Sequence, residues 1–116
     1  FTPYSKKLND EVIDYFSSKG FDIVANTYLD IAADYDIGKV DQNFLLETLL
    51  QIEIKNADAL FVSCTALPVL NLIERLEKEL GKPVITSNQS LIWDTLESIG
   101  MNKDILGFGK LFNLDQ

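Results

Sequence analysis

Ala59-Leu60-Phe61-Val62-Ser63-Cys64-Thr65-Ala66-Leu67-Pro68 is the stretch whose reading decides the fold. An apolar run closed by small polar residues has the pattern of a buried strand, here over 59–63. Val69, Leu70, Leu72, Ile73, Leu76 and Leu80 then recur at helical spacing. Pro68 suits a first helical turn and Thr65 an N-cap, so the pattern predicts a helix over 66–80. Cys64, the one cysteine of the chain, thus falls at the carboxyl end of a strand, ahead of a helix N-terminus. Open α/β sheets bind their ligands at that edge, and a helix N-terminus favours a thiolate beside it. The plainer reading is a cysteine that packs as a small, inert apolar side chain.

Working outward, 5–19 carries Leu8, Val12, Ile13, Tyr15 and Phe16 with helical recurrence, and Gly20 is placed to end that helix. Phe21 to Tyr28 is β-branched and aromatic enough for a strand. Residues 29–40, with Asp30, Asp34, Asp36 and Gly38, read as an irregular loop. Asp41 is a good N-cap for a helix that buries Phe44, Leu45, Leu49, Ile52 and Ile54. Gly81 followed by Pro83 stops the helix after Cys64. Val84-Ile85-Thr86 is a third strand, and Ser87 or Asn88 can cap a last helix that ends at Gly100. Met101 to Gln116 shows no clear period and reads as irregular.

Helices that alternate with strands imply parallel pairing with right-handed crossovers. The expected fold class is α/β, a three-layer sandwich with a parallel sheet and helices on both faces. It forms a single domain over 1–116. Such folds usually open on a strand, and this order opens on a helix, so a strand is expected just before Thr2.

The chain has 116 residues, 47% of them hydrophobic, enough for one domain with a core. Its ten basic residues are scattered against 18 acidic ones, giving a net charge of -8. That balance argues against nucleic acid, and the charge reads as solubility. One cysteine and no histidine exclude an internal disulfide, a Cys-rich zinc site and His-based catalysis. No apolar stretch has the length of a membrane span and no secretory signal pattern is present, so a reducing cytoplasm fits best.

Several chemistries fail on spacing. A cysteine phosphatase needs an Arg six residues after its Cys, where this chain has Leu70. A phospho-receiver needs an Asp where Cys64 stands. Gly107-Phe108-Gly109 does not join a strand to a helix, as a dinucleotide loop would. Asp30, Asp34 and Asp36 lack the Gly and the distal Glu of a calcium loop and read as solvated charges. What remains is a thiol at the sheet's ligand edge, with Ser63 and Thr65 beside it and backbone N–H groups able to hold a carboxylate. A thiol there can give or take a proton at a carbon acid without any cofactor or metal.

Ser63-Cys64-Thr65-Ala66-Leu67-Pro68 resembles the corresponding motif of the Asp/Glu/hydantoin racemase superfamily. The nearest likeness is to the branch holding maleate cis-trans isomerases, arylmalonate decarboxylases and ectoine-utilisation EutA proteins. Thr2-Pro3-Tyr4 resembles the opening of that family's second half, and Ile37-Gly38-Lys39-Val40 its "IGRV"-type loop. Gly81-Lys82-Pro83-Val84-Ile85-Thr86-Ser87-Asn88-Gln89 resembles "GKPVVSSNQ". The likeness runs from Thr2 to about Lys110. It implies a flavodoxin-like half-domain, the carboxy-terminal one, of a pseudo-symmetric enzyme whose active site lies between two similar halves.

By that resemblance Cys64 is the catalytic acid/base. Tyr4, Ser63, Thr65, Ala66 and Asn88 are the candidate substrate-binding residues. The implied substrate is a small carboxylate or dicarboxylate. The implied partner is an amino-terminal half-domain carrying the second cysteine, and a homo-oligomer is expected; neither nucleic acid nor a membrane is. The implied reaction is isomerisation or racemisation, with decarboxylation or a non-catalytic binding module as alternatives. The isolated half should be inactive. One departure stands out: maleate isomerases commonly carry an Asn before "IGxV", where this chain reads Ala33-Asp34-Tyr35. A carboxylate facing an anionic substrate costs electrostatic energy, which argues against maleate itself.

Overall fold

The computed structural model describes residues 1–101 and 104–113. The parallel pairing expected from the order of elements forms between β1 (Leu60–Val62) and β2 (Val84–Thr86). Leu60 lies opposite Val84, Phe61 opposite Ile85 and Val62 opposite Thr86. Phe1 and Thr2 extend this pair on the other side of β1. The Phe1 amino group donates to the Phe61 carbonyl at 2.9 Å, and the Ser63 N–H donates to the Phe1 carbonyl at 3.0 Å. Thr2 in turn receives the Leu29 N–H and donates its own N–H to the Thr27 carbonyl, forming a parallel bridge with Tyr28. The backbone order is therefore Thr27–Leu29, Phe1–Thr2, β1, β2.

The strand expected over 21–28 does not form; only Tyr28 is bridged. Apart from Tyr28, which bridges to Thr2, no residue of this stretch has a ladder partner among the described residues. Strand propensity without a partner is not enough. Phe21, Ile23 and Val24 accordingly stand exposed.

The helices are α1 (Lys6–Ser18), α2 (Asp34–Ile37), α3 (Gln42–Leu50), α4 (Ile73–Leu80) and α5 (Ser87–Ser98). Ser5 caps α1 through the Leu8 N–H, Asp41 caps α3 through the Phe44 N–H, and Gly81 closes α4 at φ +67. Four expectations need correction. Helix α2 lies inside the segment read as irregular. Phe44 is exposed on α3, and Ile52 and Ile54 are buried beyond that helix's end. The helix expected from residue 66 is delayed: a 3₁₀ turn spans Leu70–Leu72 and α4 starts only at Ile73. Pro68 has no N–H and biases Leu67 away from helical angles, so tight turns fill 64–69. The cap of α5 is neither Ser87 nor Asn88 but Thr86. Its hydroxyl accepts the Gln89 N–H while the Gln89 side chain accepts the Thr86 N–H, a reciprocal box that leaves Ser87 and Asn88 free.

Side chains alternate across a strand, so β1 serves two layers. Leu60 and Val62, with Val84 of β2, join one buried cluster with Leu45 and Leu49 of α3 and Ile73 and Leu76 of α4. Phe61 points the other way, its ring 5.0 Å from that of Phe16 on α1. The tail expected to be irregular holds a 3₁₀ turn at Lys110–Asn113, while 102–103 and 114–116 of that expectation lie outside the described residues. Two buried side chains fasten this tail. Gln89 donates to the Phe108 carbonyl at 2.6 Å, and Glu77 accepts the N–H groups of Val84 and Lys110. Between them Gly109 sits at φ +87, where an added Cβ would collide with Cγ2 of Ile73.

Gly109→Ala should therefore lose stability on two counts, left-handed backbone and overpacking, together about 2–4 kcal/mol. Gly81→Ala, with open space around it, should lose only about 1 kcal/mol. Urea unfolding of the two variants checks the contrast. Burial also lowers the Phe1 ammonium from 8.0 to about 6. Below pH 6 folded and unfolded chains both hold that proton and the folded chain bears the cost of burying it. Between 6 and 8 the folded chain has released a proton that the unfolded chain keeps, so stability should rise, by roughly 3 kcal/mol at most. A denaturation series across pH should show this rise in a chain beginning at Phe1. The step should vanish when the amino group is acetylated.

Candidate functional site

Cys64 lies two residues past the end of β1, and its backbone is the unusual part of the site. At φ +95 it occupies the left-handed half of the map that glycine favours, at a cost of about 1–2 kcal/mol for a side chain with a Cβ. Two groups from the first turn of α5 hold it there. The Ser87 hydroxyl accepts the Cys64 N–H at 3.1 Å, and the Asn88 amide donates to the Thr65 carbonyl at 2.9 Å. The thiol is buried, with only 8% of the residue exposed. The side chain lies in the buried cluster against which Tyr4 packs. Because α4 starts at Ile73, it does not present its N-terminus to Cys64; the helix end beside Cys64 is that of α5.

Tyr4 comes from the segment following Thr2. Its backbone and that of Pro3 are fixed by the N–H groups of Asp30 and Ile31, which donate to the Tyr4 and Pro3 carbonyls. Its half-buried phenol lies against the Ser63 hydroxyl and the Cys64 thiol. Burial raises the phenol above its ordinary value; the Ser63 hydroxyl pulls it down, while Cys64 and the negative charge of Asp34 push it further up. Tyr4 is thus held as a protonated donor at neutral pH. Asp34, the first residue of α2, is exposed yet close enough for its charge to reach this hydroxyl.

The residues expected to bind substrate divide into two places. Tyr4, Ser63 and Cys64 converge at the carboxyl edge of the sheet. Thr65 and Ala66 are exposed on the turn beyond, lining a groove with Pro68, Asn88 and Phe108 that Cys64 does not border. Thr65 caps no helix, and the Asn88 amide is engaged with the Thr65 carbonyl, so it steadies the turn. Sequence reasoning missed the role of Ser87. The signal was present in Thr86-Ser87-Asn88-Gln89: once Thr86 and Gln89 cap the helix, the side chains between them are available to a neighbour. Among the described residues no group of three or more His, Cys, Asp or Glu is arranged to hold a metal ion, and no helix is long and apolar enough to cross a membrane.

Residues 1–112 match the family model described as arylmalonate decarboxylase. The chain is similar to a maleate isomerase of Geobacillus stearothermophilus, 29% identical over 112 residues that make up 96% of this chain and 45% of that protein. It is also similar to an arylmalonate decarboxylase of Bordetella bronchiseptica, 24% identical over 97% of this chain and 48% of that one. Among solved structures, a variant of the Nocardia farcinica maleate cis-trans isomerase with a covalently bound succinylcysteine intermediate superposes with a TM-score of 0.94 at 26% identity. That match covers 99% of this chain and 47% of the other. The maleate isomerase of Pseudomonas putida S16 gives 0.90 at 26% identity, over 96% and 45%. The chain spans about half the length of these relatives.

The strained backbone at residue 64 gives a test independent of any activity. Cys64→Gly removes the Cβ that disfavours φ +95, whereas Cys64→Ala keeps it. The glycine variant should be the more stable of the two by about 1 kcal/mol, reversing the usual cost of glycine. Thermal unfolding of both variants checks the order.

Proposed function

The chain belongs to the arylmalonate decarboxylase family, and from that premise we propose that it is one half of a cofactor-independent enzyme that isomerises a small carboxylate through cysteine acid/base chemistry. The observation that carries this reading is the meeting of the Cys64 thiol with the Tyr4 and Ser63 hydroxyls at the carboxyl edge of the parallel sheet. Carbon acids next to a carboxylate need a proton acceptor or donor on one face and hydrogen-bond donors where negative charge builds up. Tyr4, kept protonated, donates to a carboxylate oxygen of the substrate, with the Ser63 hydroxyl beside it as a second donor. Cys64 moves the proton at the neighbouring carbon. A second group, from an amino-terminal half-domain, completes the pair on the opposite face, and the whole works as a homo-oligomer. Alone, the 116-residue chain turns nothing over.

Asp34 narrows the substrate. Its charge reaches the Tyr4 hydroxyl, so a dianion bound there meets repulsion. A substrate whose end nearer Asp34 is neutral or cationic fits better than maleate, which keeps amino-acid racemisation within the proposal.

A decarboxylase is the second reading, favoured by the family match. There Cys64 alone protonates the enediolate left when carbon dioxide departs, and no second cysteine is needed. Release of carbon dioxide from an arylmalonate, without cis-trans isomerisation or racemisation of any small carboxylate, would select it.

In the full-length protein Cys64→Ser should nearly abolish turnover, because a hydroxyl is a far poorer acid and base than a thiol at neutral pH. Tyr4→Phe should cost one hydrogen bond to a charged group, about 1.5–3 kcal/mol, or roughly 10- to 150-fold in kcat/KM. Steady-state kinetics on both variants decide the matter, and a fully active Cys64→Ser protein would overturn the cysteine chemistry.

A further inference from the structure

We infer that Ser87 is the positioning residue for the Cys64 thiol, acting from the first turn of α5 through the Cys64 backbone N–H. The inference rests on the reading of Cys64 as the reacting group. Three observations support it. Cys64 is held at φ +95, a conformation that persists in a residue with a Cβ only where its surroundings dictate it. The Ser87 hydroxyl accepts the Cys64 N–H, and the next residue, Asn88, donates to the Thr65 carbonyl, so residues 64–65 are gripped at both ends by consecutive side chains of one helix. Ser87 contributes nothing to the cap of its own helix, because Thr86 and Gln89 satisfy each other there. Its hydroxyl is therefore spent wholly on the cysteine.

The geometry explains why such a clamp is needed. Cys64 joins the buried cluster of Leu60 and Val62, with Tyr4 packed against it, while its backbone stands at φ +95. β2 leads directly into the helix whose first residue is Ser87. The pairing of Val62 with Thr86 sets that residue beside Cys64. Register, cap and clamp are thus one construction. Ser87 touches no reacting atom; it acts through Cys64.

Ser87→Ala and Ser87→Thr, with the unsubstituted protein, test this through four readouts. Amide exchange of Cys64 should quicken about tenfold or more in Ser87→Ala and stay slow in Ser87→Thr, which keeps the acceptor oxygen. Iodoacetamide should alkylate the buried thiol faster in Ser87→Ala, since the turn that buries it is loosened. Turnover of the full-length protein should move the opposite way, with kcat falling about tenfold or more, KM within twofold, and recovery in Ser87→Thr. The melting temperature should fall by a few degrees in Ser87→Ala, as one lost hydrogen bond requires, and recover in Ser87→Thr, whereas a merely structural serine would show that fall with thiol access and kcat unmoved. An unprotected Cys64 amide in the unsubstituted chain, or alkylation rates unchanged in Ser87→Ala, would overturn the inference. If exchange and alkylation respond as expected but Cys64→Ser remains fully active, the clamp stands and the cysteine chemistry falls.

Discussion

The carboxyl end of a parallel strand leaves backbone groups that no neighbouring strand can satisfy, and everything at this site follows from how those groups are met. After β1 the chain turns on Cys64 and Thr65; after β2 it enters α5 at once. Four consecutive side chains, Thr86 to Gln89, do the work at that junction. Thr86 and Gln89 close the helix end, Ser87 and Asn88 take the N–H of Cys64 and the C=O of Thr65, and Gln89 reaches on to the Phe108 carbonyl. Buried polar backbone left unpaired costs about 1–3 kcal/mol per group, so these contacts are conditions for the turn to exist at all. A strained thiol is stable here because the helix beside it is a rigid source of partners.

The electrostatic character of the site comes from what lies around Tyr4. Burial, Cys64 and Asp34 all work to keep the phenol protonated, and only Ser63 works against them. The site therefore offers donors to an anion while placing one negative charge at its edge.

Much of the architecture was legible because its signals are local. The run ending at Val62 and the Gly81-to-Thr86 passage give the parallel pair, and Ser5, Asp41 and Gly81 mark helix ends by chemistry that depends on neighbours three or four residues away. The misreadings share a cause, dependence on something distant. Residues 21–28 have strand composition, yet a strand needs a backbone partner from elsewhere in the fold, and of this stretch Tyr28 alone is bridged, to Thr2. Helix α4 was placed too early because the effect of Pro68 on the preceding turn outweighed the apolar spacing. The burial of Cys64 follows from a positive φ that nothing in the letter Cys announces, and the partner that enforces it is 23 residues away. Tyr4 entered the reading through resemblance, whereas Cys64 was marked by its place at the end of a strand; their contact is a product of Phe1–Thr2 lying beside β1.

Glu77 accepts backbone N–H groups from both Val84 and Lys110, joining parts of the chain that are 33 residues apart. One carboxylate therefore ties α4, the start of β2 and the tail around Gly109 together at a single point. A substitution at residue 77 would be felt in all three, although they are separate elements in the chain.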